Sequence, residues 1–161
     1  MVSLPPFDRV VTEHGPVVLR VCRAVVGPVD AEDAWSDTFL SALRAYPDLR
    51  PDSDVRAWLV TIAHHRAIDL LRRRARSPQP TERVAEVAAS DPGGSRLEDE
   101  LQAAVRALPP KQRAAVAYRY LADLSYAQIA ELLDSSEAAA RRSAADGIAA
   151  LRAHHLEGAT R

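Results

Sequence analysis

The side chains most able to do chemistry in this sequence fall into two small sets of opposite sign. Asp33 and Asp37 stand four residues apart in DAEDAWSDTFLSALRAY (30–46), a spacing that puts two carboxylates on one helical surface. Such a pair could hold a metal or do acid–base work, but no third ligand stands nearby, so an exposed acidic docking face is the better account. Arg72, Arg73, Arg74 and Arg76 close the stretch DVRAWLVTIAHHRAIDLLRRRAR (54–76). A cationic tip there suits a polyanion, although taken alone a solvated last turn whose arginines complement the helix dipole is the better account. Adjacent His64 and His65 would project about 100° apart on a helix and cannot chelate one ion from the same face. Cys22 is the single cysteine, so no disulfide or cysteine-based metal site is available, which fits a reducing compartment. No Ser/His/Asp order, glycine-rich phosphate loop or metal-ligand cluster stands out. Catalysis and bound cofactors are not expected.

Helices must position these groups. Val55, Trp58, Leu59, Ile62 and Ala63, then Ala67, Leu70 and Leu71, recur at three- and four-residue steps, the mark of one buried stripe. Asp54 offers an N-cap, and the run would form a rod of roughly 34 Å at 1.5 Å per residue. Ahead of it, Phe7 to Val26 reads as helical, with a break or kink expected at Gly15-Pro16 and a stop at Gly27-Pro28. A second helix runs from Asp30, its expected cap, to Tyr46, with Ala34, Trp35, Thr38, Phe39, Ala42 and Leu43 as the apolar face. Pro47 to Ser53 is a polar loop.

Ser77 to Arg96 holds three Pro, two Gly and three Ser and reads as a flexible linker. Beyond it, Leu97, Leu101, Ala104, Val105 and Leu108 form a stripe ended by Pro109-Pro110. Gln112 to Leu121 follows, with Val116, Ala117, Tyr120 and Leu121 expected inward. Ser125 and Gln128 make an S-x-x-Q capping box, a DSS turn follows, and a last helix runs from about Glu137 to Arg152. Two short helices across a tight turn suit a helix-turn-helix or a plain helical hairpin. The fold class is all-α: two small helical domains, 1–76 and 97–161, joined by the linker.

Composition agrees. Of 161 residues, 47% are apolar and 27% charged, which marks a globular chain. Net charge is −1, so the protein does not coat nucleic acid indiscriminately; yet residues 50–76 carry seven Arg against three Asp. One basic segment lies in a weakly acidic chain. No signal peptide and no apolar run of roughly 20 residues is visible, so a soluble, cytoplasmic protein without membrane insertion is expected.

The order of these pieces resembles the group IV (extracytoplasmic-function) bacterial RNA polymerase sigma factors over about residues 7–152. Three blocks carry the resemblance: D-A-E-D…T-F at 30–39, R-A-W-L…I-A…A-I-D-x-L-R-R-R at 56–74, and L-P…Q-R…Y-L…L-S-Y-x-Q-I-A at 108–130. The resemblance implies that Asp30, Asp33, Asp37 and Phe39 dock on core RNA polymerase. It implies that Arg50 to Asp54 hold a flipped base of the minus-10 promoter element. Arg56, Trp58, His64, His65, Arg66, Arg72, Arg73, Arg74 and Arg76 would then face the melting strand, with His65 standing where Asn is common. The C-terminal domain would read the minus-35 element through Ser136, Glu137, Arg141 and Arg142.

That last helix departs from the family. SEAAARRSAADGI (136–148) stands where S-E-G-T-V-K-S-R-L-x-R-A-R is typical. Ser143, Asp146 and Ile148 replace basic positions, and losing about three phosphate contacts would flatten the salt dependence of binding by a slope of around 3. Gly147 is a poor helix former, costing roughly 1 kcal/mol against Ala. The functional expectation is an alternative sigma factor that binds core polymerase and promoter DNA; anti-sigma partners are common in the family. The alternative is a degenerate sigma-like regulator that binds polymerase or a partner without initiating transcription. A metal-carboxylate enzyme built on Asp33 and Asp37 would need ligands the sequence does not supply.

Overall fold

The computed structural model describes residues 3–76 and 96–159, and every element in them is helical. The expected linker lies outside the described residues except for Arg96, which opens a helix. Three helices form the N-terminal unit: α1 (Phe7–Val26), α2 (Ala31–Ala45) and α3 (Val55–Arg76). Four form the C-terminal unit: α4 (Arg96–Arg106), α5 (Pro110–Val116) continued by a π-helical turn (Ala117–Leu121), α6 (Tyr126–Leu132) and α7 (Glu137–Ala159).

Helix α1 runs through Gly15-Pro16 rather than stopping there. Proline removes one backbone donor, but α1 is packed on several sides, and that burial outweighs a local preference. Gly15 has a use at this point. The Trp35 ring lies 3.5 Å from where a Cβ would stand, and its Nε1–H donates to the Gly15 carbonyl at 3.0 Å. Around this contact Val10, Val18, Cys22, Phe39 and Leu59 close the N-terminal core.

Helix α3 starts as expected, with Asp54 Oδ1 accepting from the Ala57 amide at 3.2 Å. Its burial is wider than one stripe. Leu59 and Ala63 face the N-terminal core, while Val60 and Ala67 join a second core with Val21, Ala24 and Val25 of α1 and with Val105, Ala115, Tyr118 and Ile129 of the C-terminal unit. The two units therefore share a continuous apolar interface.

Four inward assignments change in the C-terminal unit: Tyr120, Leu121, Leu97 and Leu101 are all exposed. The π turn adds a residue to one turn of helix, which rotates the following side chains: Tyr118 is fully buried and Tyr120 is 58% exposed. The first half of the α4 stripe, Leu97 and Leu101, is exposed, and only Val105 and Leu108 are buried.

Candidate nucleic-acid interface

Helix α2 presents a mixed surface. Asp33 and Asp37 are exposed on it, as the four-residue spacing requires. Leu40 and Leu43 stand beside them, 54% and 51% exposed, although Leu43 was expected inward. Two members of the expected docking set do not reach this surface. Phe39 is buried, with its ring 4.5 Å from that of Trp35 and 6.4 Å from that of Phe7. Asp30 is buried at the start of α2, where it makes no side-chain cap and instead pairs with Arg74 of α3. A buried carboxylate is costly without a cation, so that pair ties the end of α3 to the α1–α2 turn.

The basic end of α3 is open. Arg72, Arg73 and Arg76 are exposed, with Arg76 Nε donating to the Arg72 carbonyl at 3.3 Å; Arg74 is engaged with Asp30. An open groove of about 980 Å³ separates this end from α2, lined among others by Asp37, Leu40, Arg44, Arg66, Arg72 and Arg76. Arg66 lies 3.7 Å from Asp69, and Arg50, in the loop before α3, lies 3.4 Å from Asp52. Trp58 and Arg56 are half-buried. Trp58 packs near Tyr46, with ring centroids 6.2 Å apart, so only part of its ring is free to stack on a base.

The two histidines separate. His65 is exposed and His64 is buried, its Nδ1 2.6 Å from the hydroxyl of Tyr118 in the C-terminal unit. Burial first, then the neighbouring His65, push the His64 pKa down to about 4, against a smaller opposing effect of the Leu132 backbone. A neutral His64 serves the interface between units, and in this conformation it does not face outward. The sequence pattern could not reveal that, because the partner stands 54 residues away.

Helices α6 and α7 form the expected pair across a tight turn. Ser125 and Gln128 make the reciprocal capping box at 3.1 and 2.9 Å. Asp134 then adopts φ +51°. The Ser135 amide bonds to the Ala130 carbonyl (2.9 Å) and the Asp134 amide to the Glu131 carbonyl (3.4 Å), a Schellman stop. Ser136 caps α7, accepting from the Ala139 amide at 3.0 Å. At the start of α7, Arg141 reaches Glu137 at 3.1 Å and lies over the Tyr126 ring at 4.6 Å, while Arg142 is exposed. Arg119 lies over the same ring at 4.7 Å. Neither Arg119 nor Tyr126 stood out in sequence, since the π turn and the α6 cap jointly bring them together. Asp146 is exposed one turn on.

Gly147 is not a defect in α7. A Cβ there would stand 2.5 Å from Val116 Cγ2, so its absence lets α7 pass close over α5. The expected helix-propensity cost is offset by that approach.

A family profile described as Sigma-70 region 2 matches residues 10–77, and one described as Sigma-70, region 4 matches residues 98–151. The chain belongs to the sigma-70 family, in its group IV, extracytoplasmic-function branch. The chain is similar to the extracytoplasmic-function sigma factor SigE of Mycolicibacterium smegmatis, 34% identical over 143 residues (81% of this chain, 54% of SigE). It is similar to BldN of Streptomyces coelicolor, 34% identical over 142 residues (83% and 54%), and to SigM of Mycobacterium tuberculosis, 33% over 135 residues (81% and 67%). This family member thus spans about half the length of SigE and BldN. Its fold is that of the sigma factor RpoE in complex with the anti-sigma factor NepR from Bartonella quintana (TM-score 0.73, 18% identity, 91% of this chain and 94% of that one). CnrH in complex with the cytosolic domain of CnrY has the same fold (TM-score 0.68, 24% identity, 94% and 88%).

Among the described residues no three or more His, Cys, Asp or Glu gather closely enough to hold a metal ion. Cys22 is buried, and its thiol pKa is pushed up to about 12. Among the described residues no helix is long and apolar enough to cross a membrane.

Proposed function

We propose that this family member is an alternative sigma factor: it binds core RNA polymerase, engages promoter DNA and helps open the duplex, without covalent chemistry of its own. The observation that carries this reading is the pairing, in one N-terminal unit, of an exposed acidic face with an arginine-tipped helix. On this reading residues 1–76 hold the polymerase and the minus-10 element, and residues 97–161 approach the minus-35 element. The work takes place where polymerase and DNA are, in the cytoplasm.

Core polymerase meets α2 through Asp33 and Asp37, with Leu40 and Leu43 supplying apolar area beside them; Asp30 and Phe39 hold the helix in place from inside. Melted DNA meets the exposed Arg50, Arg72, Arg73, Arg76 and His65, together with the half-buried Arg56 and Arg66 and the free part of Trp58. Cationic contacts supply affinity and a stacked base supplies grip. Upstream duplex meets Arg141 and Arg142 at the head of α7, the position from which a recognition helix reads base edges. An anti-sigma protein is a fitting partner, because CnrH and RpoE are each held in such a complex or with a cytosolic partner domain.

Binding to sigma-free core polymerase tests the docking face. Asp33→Arg with Asp37→Arg should abolish binding that Asp146→Arg leaves intact; equal binding by all three proteins contradicts the assignment. One observation favours the second reading, a regulator that binds polymerase without initiating. Exposed Asp146 on α7 repels phosphate, and Arg141 is already engaged by Glu137 and Tyr126.

A further inference from the structure

We propose that Asp30 and Arg74 are positioning residues for DNA binding: their ion pair anchors the overhanging basic tip of α3, so that Arg72, Arg73 and Arg76 meet a nucleic-acid strand already ordered. The family pattern sets Asp30 against polymerase and Arg74 against DNA, and the pair takes both away from those surfaces. The anchor rests on geometry; its consequence for DNA rests on the sigma-factor reading of α3.

Helix α3 outruns its own core. Leu70 is its last buried residue, and every residue from 71 to 76 is exposed. Those six residues extend roughly 9 Å past the packing at 1.5 Å per residue. The last four carbonyls of a helix have no partner within it, so an unsupported final turn frays. Arg72 and Arg76 stand four residues apart, a like-charge spacing that disfavours the helix further. Against this, the Arg74 guanidinium donates to Asp30 Oδ1, 44 residues back in the chain.

Asp30 is set up for this contact rather than for a cap. Its backbone sits at φ −102° and ψ −6°, away from the extended conformation of a capping residue, and its side chain caps nothing. Only 11% of that side chain is exposed, against 46% for Arg74, and a carboxylate so enclosed needs its cation. The pair also fixes the rotational phase of the tip. At about 100° per residue, Arg72 and Arg76 project within about 40° of each other and roughly 160–200° from Arg74. Drawing Arg74 onto the α1–α2 turn leaves Arg72 and Arg76 to line the groove beside α2, together with Arg44 and Leu40. A strand that binds there meets a helix end that needs no ordering, and affinity is gained by avoiding that cost.

The test reads the tip and the DNA separately in the full-length chain. In hydrogen exchange, the amides of residues 72–76 should exchange about three- to tenfold faster in Asp30→Asn and in Arg74→Gln, the ratio one lost half-exposed ion pair produces. The amides of Leu59 and Ala63, in the N-terminal core, should not change. Arg74→Lys, which keeps the charge, should recover part of the protection. Binding to single-stranded oligo(dT) should weaken by the same factor in each single variant and no further in the double, with the salt slope unchanged. A direct phosphate contact at Arg74 would instead lower that slope by about 0.7 in Arg74→Gln. Asp30→Asn should bind sigma-free core polymerase as the unaltered chain does. Unchanged exchange at 72–76 overturns the anchor. So does tighter oligo(dT) binding by Asp30→Asn, which would mean that Asp30 only neutralises a cation DNA could use. Loss of polymerase binding by Asp30→Asn with the tip still protected returns Asp30 to the docking surface and overturns it too. An unaltered chain that does not bind oligo(dT) while the exchange results hold contradicts the sigma-factor reading of α3 and leaves the anchor standing.

Discussion

Replacing Gly147 by Ala sets helix propensity against packing, and the structure decides which wins. In an exposed helix the change would stabilise by about 1 kcal/mol. Here the added methyl would stand 2.5 Å from Val116 Cγ2, 3.4 Å from the Gln112 carbonyl oxygen and 3.5 Å from Leu108 Cδ1. Carbon atoms pack at about 3.5–4.0 Å, so roughly 1 Å must open on the Val116 side. Val116 is buried and β-branched, with little rotamer freedom inside a helix. The relief must therefore come from moving α7 off α5. Forcing a methyl into a packed core costs about 1–3 kcal/mol, and this contact is at the severe end, which leaves a net loss of about 1–2 kcal/mol. Urea unfolding of Gly147→Ala, Val116→Ala and the double variant measures it. The double variant should recover at least about 0.5 kcal/mol relative to the sum of the singles, because Val116→Ala removes the obstructing methyl. A stabilised Gly147→Ala would refute the close crossing and restore the propensity argument.

Three further outcomes follow from the same contacts. Ser136→Ala should cost about 1 kcal/mol by uncapping α7, while Asp134→Gly should gain up to about 1 kcal/mol by relieving the left-handed residue; equilibrium unfolding checks both. His64 titrates in the folded chain near 4 rather than at its ordinary 6.5, so its contribution is complete above about 6.5 and is lost as pH falls towards 4. His64→Gln should flatten stability over that window, and denaturation at several pH values reads the difference. Changing Arg72, Arg73 and Arg76 together to Ala should reduce the salt slope of single-stranded DNA binding by about 2, at roughly 0.7 per phosphate contact. An unchanged slope in a titration at several salt concentrations would remove these arginines from the interface.

Local physics was legible in the sequence, and contact across the units was not. The three-and-four spacing gave α3, Asp54 gave its cap, and Ser125 with Gln128 gave the start of α6, because each depends on residues within one or two turns. The exposed pair Asp33 and Asp37 followed from the same spacing. Pro16 does not break α1, because a proline's local cost says nothing of the packing around that helix. Tyr120 was placed inward on a regular helical phase, and the π turn put Tyr118 there instead. Asp30 was given to an exposed surface and is consumed by Arg74, 44 residues on. Gly147 was read by propensity alone, and its packing partner Val116 lies on another helix. His64 failed for the same reason: its role depends on Tyr118, and no periodicity within α3 marks that face as an interface.

Transcription in vitro tests the central claim most directly. The purified chain would be combined with sigma-free core polymerase and fragments of its own genome, and the transcript starts sequenced. Discrete starts sharing a minus-10-like motif are the predicted result, and a shared upstream motif among them would show that Arg141 and Arg142 suffice for the upstream element. Binding to core polymerase with no discrete starts would contradict the account and leave a regulator that no longer initiates.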